Sequence, residues 1–503
     1  MKVAIIHQSV NEFRGDAIIV NLFKGVKSPG GATGAIDRAL NGLITKMIAR
    51  GELSGKLGET AVVHTFGTIA ADTVIVVGLG AADDFGAEEI RKAAGAAIKC
   101  ARSIKANVVG TILHGAGIGG FRAERAAQYV CEGTLLALYT FTPYKKPETN
   151  DPAEFFIVEQ DKRKRTNIKR GLGTGVVLAE CQNCARDLIN EPSNRLTPKA
   201  LHTRIKKLIH EMNLGKTIHV DVLNSMQLKK LGMGALLSVA QGSANEPQFI
   251  ILRYKKSARP LVALVGKTVT FDSGGISLKP AAGMGRMKGD MSGGAAAIGA
   301  TLALARNKAR VNLMTIIPAV ENMPSGTASR PGDVVQAMNG KTIEIISTDA
   351  EGRMTLADAL CYAETKGAKH IVDVATLTGG CVVALGDVTA AVMGNRQRGI
   401  DTLLKIAQET GEKHWQLPLY EEYKKQIESD IADLKNSGGR KASAITAGLF
   451  LQSFIDKAHW IHIDIAGKEI SEKDTYYQPK GGTGFGVRTL YEFVRTVGSG
   501  LNI

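Results

Sequence analysis

The chain has 503 residues, 44% hydrophobic and 22% charged, with 57 glycines against 14 prolines and a formal net charge of +15. That balance belongs to a globular protein of two or three domains and excludes disorder, collagen and coiled coil as its main organisation. No apolar run approaches the ~18–20 residues of a membrane helix, and the start, MKVAIIHQSVNEFRG, is too short in apolar residues for a signal-peptide core. The reading is a cytoplasmic protein with no membrane partner.

In chain order, residues 1 to about 150 alternate strand candidates (Val3–Ile6, Ala17–Leu22, Ala61–His64, Thr73–Leu79, Val108–His114) with helix-like stretches at Glu88–Lys105 and Arg122–Leu138. This is the rhythm of an α/β unit. GLGAADDFG, after the 73–79 strand, lacks the GxGxxG spacing of a dinucleotide fingerprint. HGAGIGGF, 114–121, is glycine-rich after a strand and could approach a phosphate, although a tight turn is the commoner cause of such a run. From Tyr144 to Arg170, two prolines and dense charge read as a linker or domain edge. The expected division is 1–165, a smaller N-terminal α/β domain for assembly or regulation, and 166–503, a larger catalytic domain.

A helix is expected from about Gly173 to Leu188, ended by Asn190-Glu191-Pro192. It encloses the lone pair Cys181 and Cys184, which reads as buried small residues. Six cysteines in so long a chain make no disulfide framework. From Leu201 onward the order is strand, loop, helix, strand, predicting a central, mostly parallel (mixed) sheet flanked by helices. Strands are expected at Pro260–Val265, Asn312–Ile317, Thr342–Ile346 and His370–Val374, with a small-residue helix at Ser292–Asn307 and another at Met354–Lys366 stopped by Gly367. Ligands of such sheets bind beyond the carboxyl ends of the strands, here just after Val265 and Ile346.

Both places carry charge. GKTVTFDSGGISLKP supplies Lys267, Asp272 and Lys279, and Met287-Lys288-Gly289-Asp290 follows; STDAEGR supplies Asp349, Glu351 and Arg353. Four carboxylates in one crevice repel unless cations sit among them, and two divalent ions would neutralise the set. Oxygen ligands suit Mg²⁺, Mn²⁺ or Zn²⁺, and two such ions roughly 3.5–4 Å apart would polarise a carbonyl and activate water. In an extended turn, Asp349 and Glu351 would point the same way. Ten histidines without HExxH spacing speak against a thermolysin-type site.

The segment Ser347-Thr348-Asp349-Ala350-Glu351-Gly352-Arg353-Met354 resembles NTDAEGRL, the signature of the leucyl (cytosol) aminopeptidase family of metallopeptidases. VGKTVTFDSGGISLKP, MKGDMSGGAA, ENMPSGTASRPGDVV, DVATLTGG, RDLINEPSNRLTP, NSGGRKASAITAGLFL, HIDIAG and GGTGFGVR look like further family blocks, spanning about 186 to 488. The resemblance implies a homohexameric aminopeptidase that releases N-terminal leucine and other apolar residues from peptides with a free N-terminus. It implies two divalent ions per subunit, Mn²⁺ or Zn²⁺, on Lys267, Asp272, Asp290, Asp349 and Glu351, with Asp272 and Glu351 bridging. Lys279 and Arg353 fall on the catalytic positions. Lys279 would stabilise the oxyanion, and Arg353 would hold a bicarbonate that relays a proton from the attacking water. Met287, Thr376 and Gly379 fall on positions lining the pocket for the first side chain. Ser347 and Met354 depart from the signature's Asn and Leu without touching a ligand position.

Basic residues outnumber acidic ones by 23 to 12 over 151–300 and match them, 23 and 23, over 301–503. Lys162-Arg163-Lys164-Arg165, Lys169, Arg170, Arg204, Lys206, Lys207, Arg253, Lys255 and Lys256 supply much of that excess. The alternative function is therefore a nucleic-acid-binding or regulatory role, alone or beside peptidase activity. A two-metal phosphoesterase shares the carboxylate chemistry but not the peptidase blocks.

Overall fold

In the computed structural model, residues 1–117, 119–146 and 150–500 are described. The chain divides into two compact units, Met1–Asn183 with Glu472–Lys480, and Cys184–Ser471 with Gly481–Ile503.

The first unit is built on a six-stranded sheet in the order Lys2–Ile6, Glu154–Val158, Val108–Thr111, Gly15–Leu22, Ala71–Gly78, Thr60–His64. All pairs are parallel except that of the edge strand Thr60–His64. The helix Ala87–Ser103 buries Ile90, Ala93, Ala94, Ala97, Ile98 and Ala101, the spacing of one helical face, in the same core as Ile19, Ile75 and Val77. The charge-dense stretch read as a linker contains the strand Glu154–Val158 and the start of a helix that runs from Arg165 to Asn190. Four apolar residues, Phe155 to Val158, suffice for a strand with a neighbour on either side, and the surrounding charges masked them.

The second unit holds a nine-stranded mixed sheet. Its order is His414–Gln416, Ala390–Gly394, His459–Asp464, Ala368–Ala375, Leu261–Gly266, Asn312–Asn322, Gln248–Lys255, Ile218–Leu223, with Thr268–Asp272 pairing beside Asn312–Asn322. The four central strands from His459–Asp464 to Asn312–Asn322 are parallel. On Leu261–Gly266, Ala263 and Val265 join the core around the helix Glu351–Thr365. The alternate residues Val262 and Leu264 are as fully buried, so the strand is covered on both faces, as parallel sheets require.

Two expectations need correction. Thr342–Glu344 does not join the central sheet; it forms a separate three-stranded sheet with Val334–Gln336 and Leu434–Lys435. Three residues with only Ile343 fully buried cannot act as a central strand. The helix placed at Met354–Lys366 starts at Glu351, so Glu351 is a helical residue rather than part of an extended turn.

The helix Ser292–Arg306 lies close to the sheet because its first turns lack side chains. A Cβ on Gly293 would overlap the Val374 carbonyl oxygen, and one on Gly294 the Thr268 hydroxyl. Gly293→Ala should therefore lower stability by about 1–3 kcal/mol through overpacking. Gly173→Ala, at an exposed position in the helix Arg165–Asn190 where a Cβ meets nothing, should raise it by about 0.5–1 kcal/mol. Urea midpoints at fixed metal concentration measure both; equal midpoints for the two variants would contradict this packing argument.

Candidate metal centre

The site gathers at the carboxyl ends of the central strands. Lys267 follows the strand Leu261–Gly266, Asp272 closes Thr268–Asp272, and Thr376 follows Ala368–Ala375. Asp290 comes after the short 3-10 turn Met284–Gly289, and Glu351 opens the helix Glu351–Thr365. Oxygens of Asp272, Asp290 and Glu351 lie within 4.8 Å of one another, and all three residues are buried.

Lys267 stands among them. Its Nζ donates to the Thr376 carbonyl at 2.9 Å and lies 2.9 Å from Asp290 Oδ2 and 2.8 Å from Glu351 Oε1. Those two oxygens are buried and accept no hydrogen bond of good geometry among the described residues. They pair with the ammonium by charge, leaving lone pairs directed elsewhere. Glycine makes the approach possible, because a Cβ on Gly352 would sit 2.6–2.7 Å from the end of the Lys267 side chain. Half-buried Lys279 places Nζ 2.8 Å from Asp272 Oδ2 and 2.5 Å from Oδ1 of exposed Asp349.

Burial alone would push Lys267 toward neutrality, but Asp290, Glu351 and Asp272 more than offset it and hold its pKa above the ordinary lysine value. Lys279 is likewise held high against burial by Asp272, Glu351 and Asp349. The carboxylates move the other way. Asp290 is pushed well up by burial, with Lys267 opposing and Glu351 and Asp272 adding to the rise. Burial also raises Asp272 and Asp349. Burial pushes Arg353 down to about 10, which leaves it cationic at neutral pH. Its Nη1 donates to the Asn436 carbonyl at 2.8 Å, and its buried Nε has no partner among the described residues.

All seven charged residues singled out in the sequence thus belong to this neighbourhood. Thr376, expected to line a side-chain pocket, touches the carboxylate cluster, since its hydroxyl donates to Asp290 Oδ1 at 2.7 Å. Met287 is half-buried on the turn Met284–Gly289, and Gly379 is exposed at the start of the helix Gly379–Leu385. Ser347, where the signature has Asn, accepts the Asp349 N–H on its hydroxyl at 3.3 Å.

Two positioning residues escaped the sequence reading. Asn322 Nδ2 donates to Asp272 Oδ1 at 2.8 Å and to the Thr348 carbonyl at 3.0 Å, tying the two charged loops together. Asn436 donates to the Ser347 carbonyl at 2.8 Å and accepts from the Ile346 N–H at 2.8 Å, besides holding Arg353. Thr348 adds a third tie by donating to the Gly274 carbonyl at 2.6 Å and accepting from Ser277 N at 2.8 Å. Asn322 and Asn436 lie inside quoted runs, ENMPSG and NSGG, yet neutral amides carry no charge signal.

The basic stretch is partly spent on internal pairs. Arg163 binds Asp161, Lys164 binds Glu159, Arg170 binds Glu124 and Arg253 binds Asp221. Among the described residues no helix is long and apolar enough to cross a membrane.

Comparison with known proteins places this geometry. The model of the cytosol aminopeptidase family's catalytic domain matches residues 183–491, and that of its N-terminal domain matches residues 19–148. A protein named "Probable cytosol aminopeptidase" from Alkaliphilus oremlandii is 42% identical over 502 residues, 99% of this chain and 100% of the relative. One of the same name from Geobacter sulfurreducens is 42% identical over 92% of each chain. Among solved structures, the bottromycin maturation enzyme BotP in complex with Mn is 34% identical with a TM-score of 0.84, covering 96% of this chain and 100% of the other. A lysine-to-glutamate mutant of tomato leucine aminopeptidase is 32% identical with a TM-score of 0.87, covering 99% and 96%. The chain belongs to the cytosol aminopeptidase family and is a hydrolase of the aminopeptidase class.

Proposed function

We propose that the chain releases the N-terminal residue of peptides by water attack assisted by two divalent ions, Mn²⁺ or Zn²⁺, with leucine and other apolar side chains preferred. The observation that carries the reading is the buried meeting of Asp272, Asp290 and Glu351 around Lys267. Asp290 Oδ2 and Glu351 Oε1 fit a metal, because these buried oxygens share the single Lys267 ammonium and accept no well-formed hydrogen bond among the described residues. Lys267, Asp272, Asp290, Asp349 and Glu351 would hold the ions, and Arg353, with its unpartnered Nε, a bicarbonate. When bound, the ions supply Lewis acidity toward the scissile carbonyl and water, and bicarbonate supplies a base.

The chain's own groups then divide the work. With the ions bound, Lys267 Nζ would have to be neutral, so that its lone pair could serve as a ligand. Lys279 keeps its proton, stabilised by Asp272 and Asp349, and meets the oxyanion of the tetrahedral intermediate. Asp290, fixed by the Thr376 hydroxyl, orients the substrate's free α-amino group. Met287, Thr376 and Gly379 face the first side chain. The protein is read as a cytoplasmic homohexamer, with the N-terminal domain, residues 1–165, serving assembly.

Hydrolysis of leucine p-nitroanilide by the purified protein tests the reading. Turnover should appear with added Mn²⁺ and disappear on chelation. A folded, metal-loaded protein that is inactive with Mn²⁺, Zn²⁺ and Mg²⁺ would overturn it. Glu351→Ala should remove most activity together with metal. Arg353→Ala should keep the metal but lower kcat by about 10²-fold or more; loss of metal from that variant would refute its role. Asn322→Ala should weaken Mn²⁺ binding and activity by about 10–100-fold with the fold intact, measured by metal titration; unchanged affinity would show that Asp272 needs no anchor.

A further inference from the structure

The first unit contains a cavity of about 640 Å³ that the proposed peptidase chemistry does not use, within the usual range for small-molecule sites of about 300–1,000 Å³. It lies at the carboxyl ends of the five parallel strands, each of which contributes following residues to its wall: 8–10; Phe23, Val26 and 28–33; Leu79; Ile112, Leu113, 115–117 and Gly119; and 159–160. The two glycine-rich walls come from adjacent strands. After Gly15–Leu22 the chain moves toward Ala71–Gly78 on one side; after Val108–Thr111 it moves toward Glu154–Val158 on the other. Their common border is the topological switch point, where doubly wound sheets bind ligands.

The glycines in these walls are of two kinds. Gly115 has φ +84° and a Cβ there would press on Ile90, and a Cβ on Gly119 would strike Phe85, so the fold itself accounts for both. Gly30 and Gly117 lack such a cause. Neither has a positive φ, and a Cβ on either meets no described atom within 4 Å. A side chain at either position would have room, so packing does not require glycine there. Gly30 is also the N-cap of the helix Gly31–Ala39, and among the described residues no side chain caps that end and no acid stands in its first turn.

The rest of the wall suits an uncharged body. Phe23, Val26, Ile112 and Val158 are apolar, and Phe23 is braced edge-on by Phe85 at 4.9 Å. The acidic side chain among the wall residues, Glu159, already accepts the Asp161 N–H at 2.9 Å and pairs with Lys164 at 3.0 Å. It therefore adds no uncompensated charge to repel an anion. Asn21, pinned 3.1 Å from the fully buried His114, is a fixed polar group on the same wall.

We propose that this cavity binds a nucleoside diphosphate. Its phosphates would lie on backbone N–H groups at Gly30–Thr33 and at Gly115, Gly117 and Gly119, and its base and sugar against Phe23, Val26 and Ile112. HGAGIGGF is then a ligand loop in addition to a turn; its Ile118 lies outside the described residues.

The test is calorimetric titration of the metal-loaded full chain with ADP, pyrophosphate and adenosine, repeated on Gly30→Asp and Gly117→Asp. Aspartate is a good N-cap, so Gly30→Asp should fold while its carboxylate takes the N–H groups a phosphate would use. ADP should bind one per chain, at least about tenfold tighter than pyrophosphate or adenosine. Both variants should lose about tenfold or more in ADP affinity while hydrolysing leucine p-nitroanilide as before. No ADP binding at about 1 mM would overturn the proposal. ADP affinity unchanged in both variants would overturn it as well, placing the nucleotide on the catalytic metals instead. Pyrophosphate binding as tightly as ADP would refute the nucleoside part. Because turnover is read separately, failure of this proposal is distinct from failure of the peptidase reading.

Discussion

Three carboxylates buried within 4.8 Å of one another are the constraint on which the catalytic unit depends. In a low-dielectric interior such a group repels itself, and each charge removed from water costs several kcal/mol unless it is compensated. Lys267 compensates two of them directly, and Lys279 the third. Losing Lys267 would leave an uncompensated acidic pair, a loss of about 3–5 kcal/mol by analogy with broken buried pairs. The raised pKa values of Asp290 and Asp272 express the same strain from the acid side. A cluster short of positive charge is the kind that would attract dications, as the proposed function requires.

Crowding these charges together needs backbone where side chains would normally stand. Gly352 leaves room for Lys267, and Gly293 and Gly294 let the helix Ser292–Arg306 rest on the strand ends. Neutral amides fix the register between loops. Asn322 couples Asp272 to Thr348, and the Asn436 amide holds Ile346 and Ser347 while its backbone carbonyl accepts from Arg353. A charged residue in either place would add to the electrostatic problem, whereas an amide supplies both a donor and an acceptor at no net charge. Glu351 gains further from opening its helix, where the dipole favours an acid.

These features explain what could be read in the sequence. Lys267, Asp272, Lys279, Asp290, Asp349, Glu351 and Arg353 stood out because two loops carried more charge than ordinary connections do, and the resemblance to the family then divided them into ligand and catalytic positions. The strands Gly15–Leu22, Ala71–Gly78 and Leu261–Gly266 were visible as continuous apolar runs. Glu154–Val158 was hidden by charged neighbours that belong to the following helix. The helical start at Glu351 was hidden because Asp349-Ala350-Glu351 suits an extended turn equally well. Asn322 and Asn436 act through hydrogen bonds across 50 and 83 residues to Asp272 and Arg353, which no local pattern contains. Local chemistry is legible in a sequence; contacts set by topology are not.

The two units apply one architectural rule to opposite electrostatic ends. Each places a crevice beyond the carboxyl ends of parallel strands, where strand termini and helix starts converge. The catalytic unit fills that place with charged side chains, and the outcome is a site that demands cations. The N-terminal unit lines it with glycine, apolar and neutral polar residues, and the acid among them, Glu159, is paired with Lys164. Such a surface has no net charge to attract a metal, and its dipoles favour an anion. A phosphate would be repelled by Asp272, Asp290 and Glu351, whose nearest ammonium groups, Lys267 and Lys279, are already paired with them. Side-chain choice at the same structural position therefore decides the sign of the ligand, while the sheet decides only where it binds.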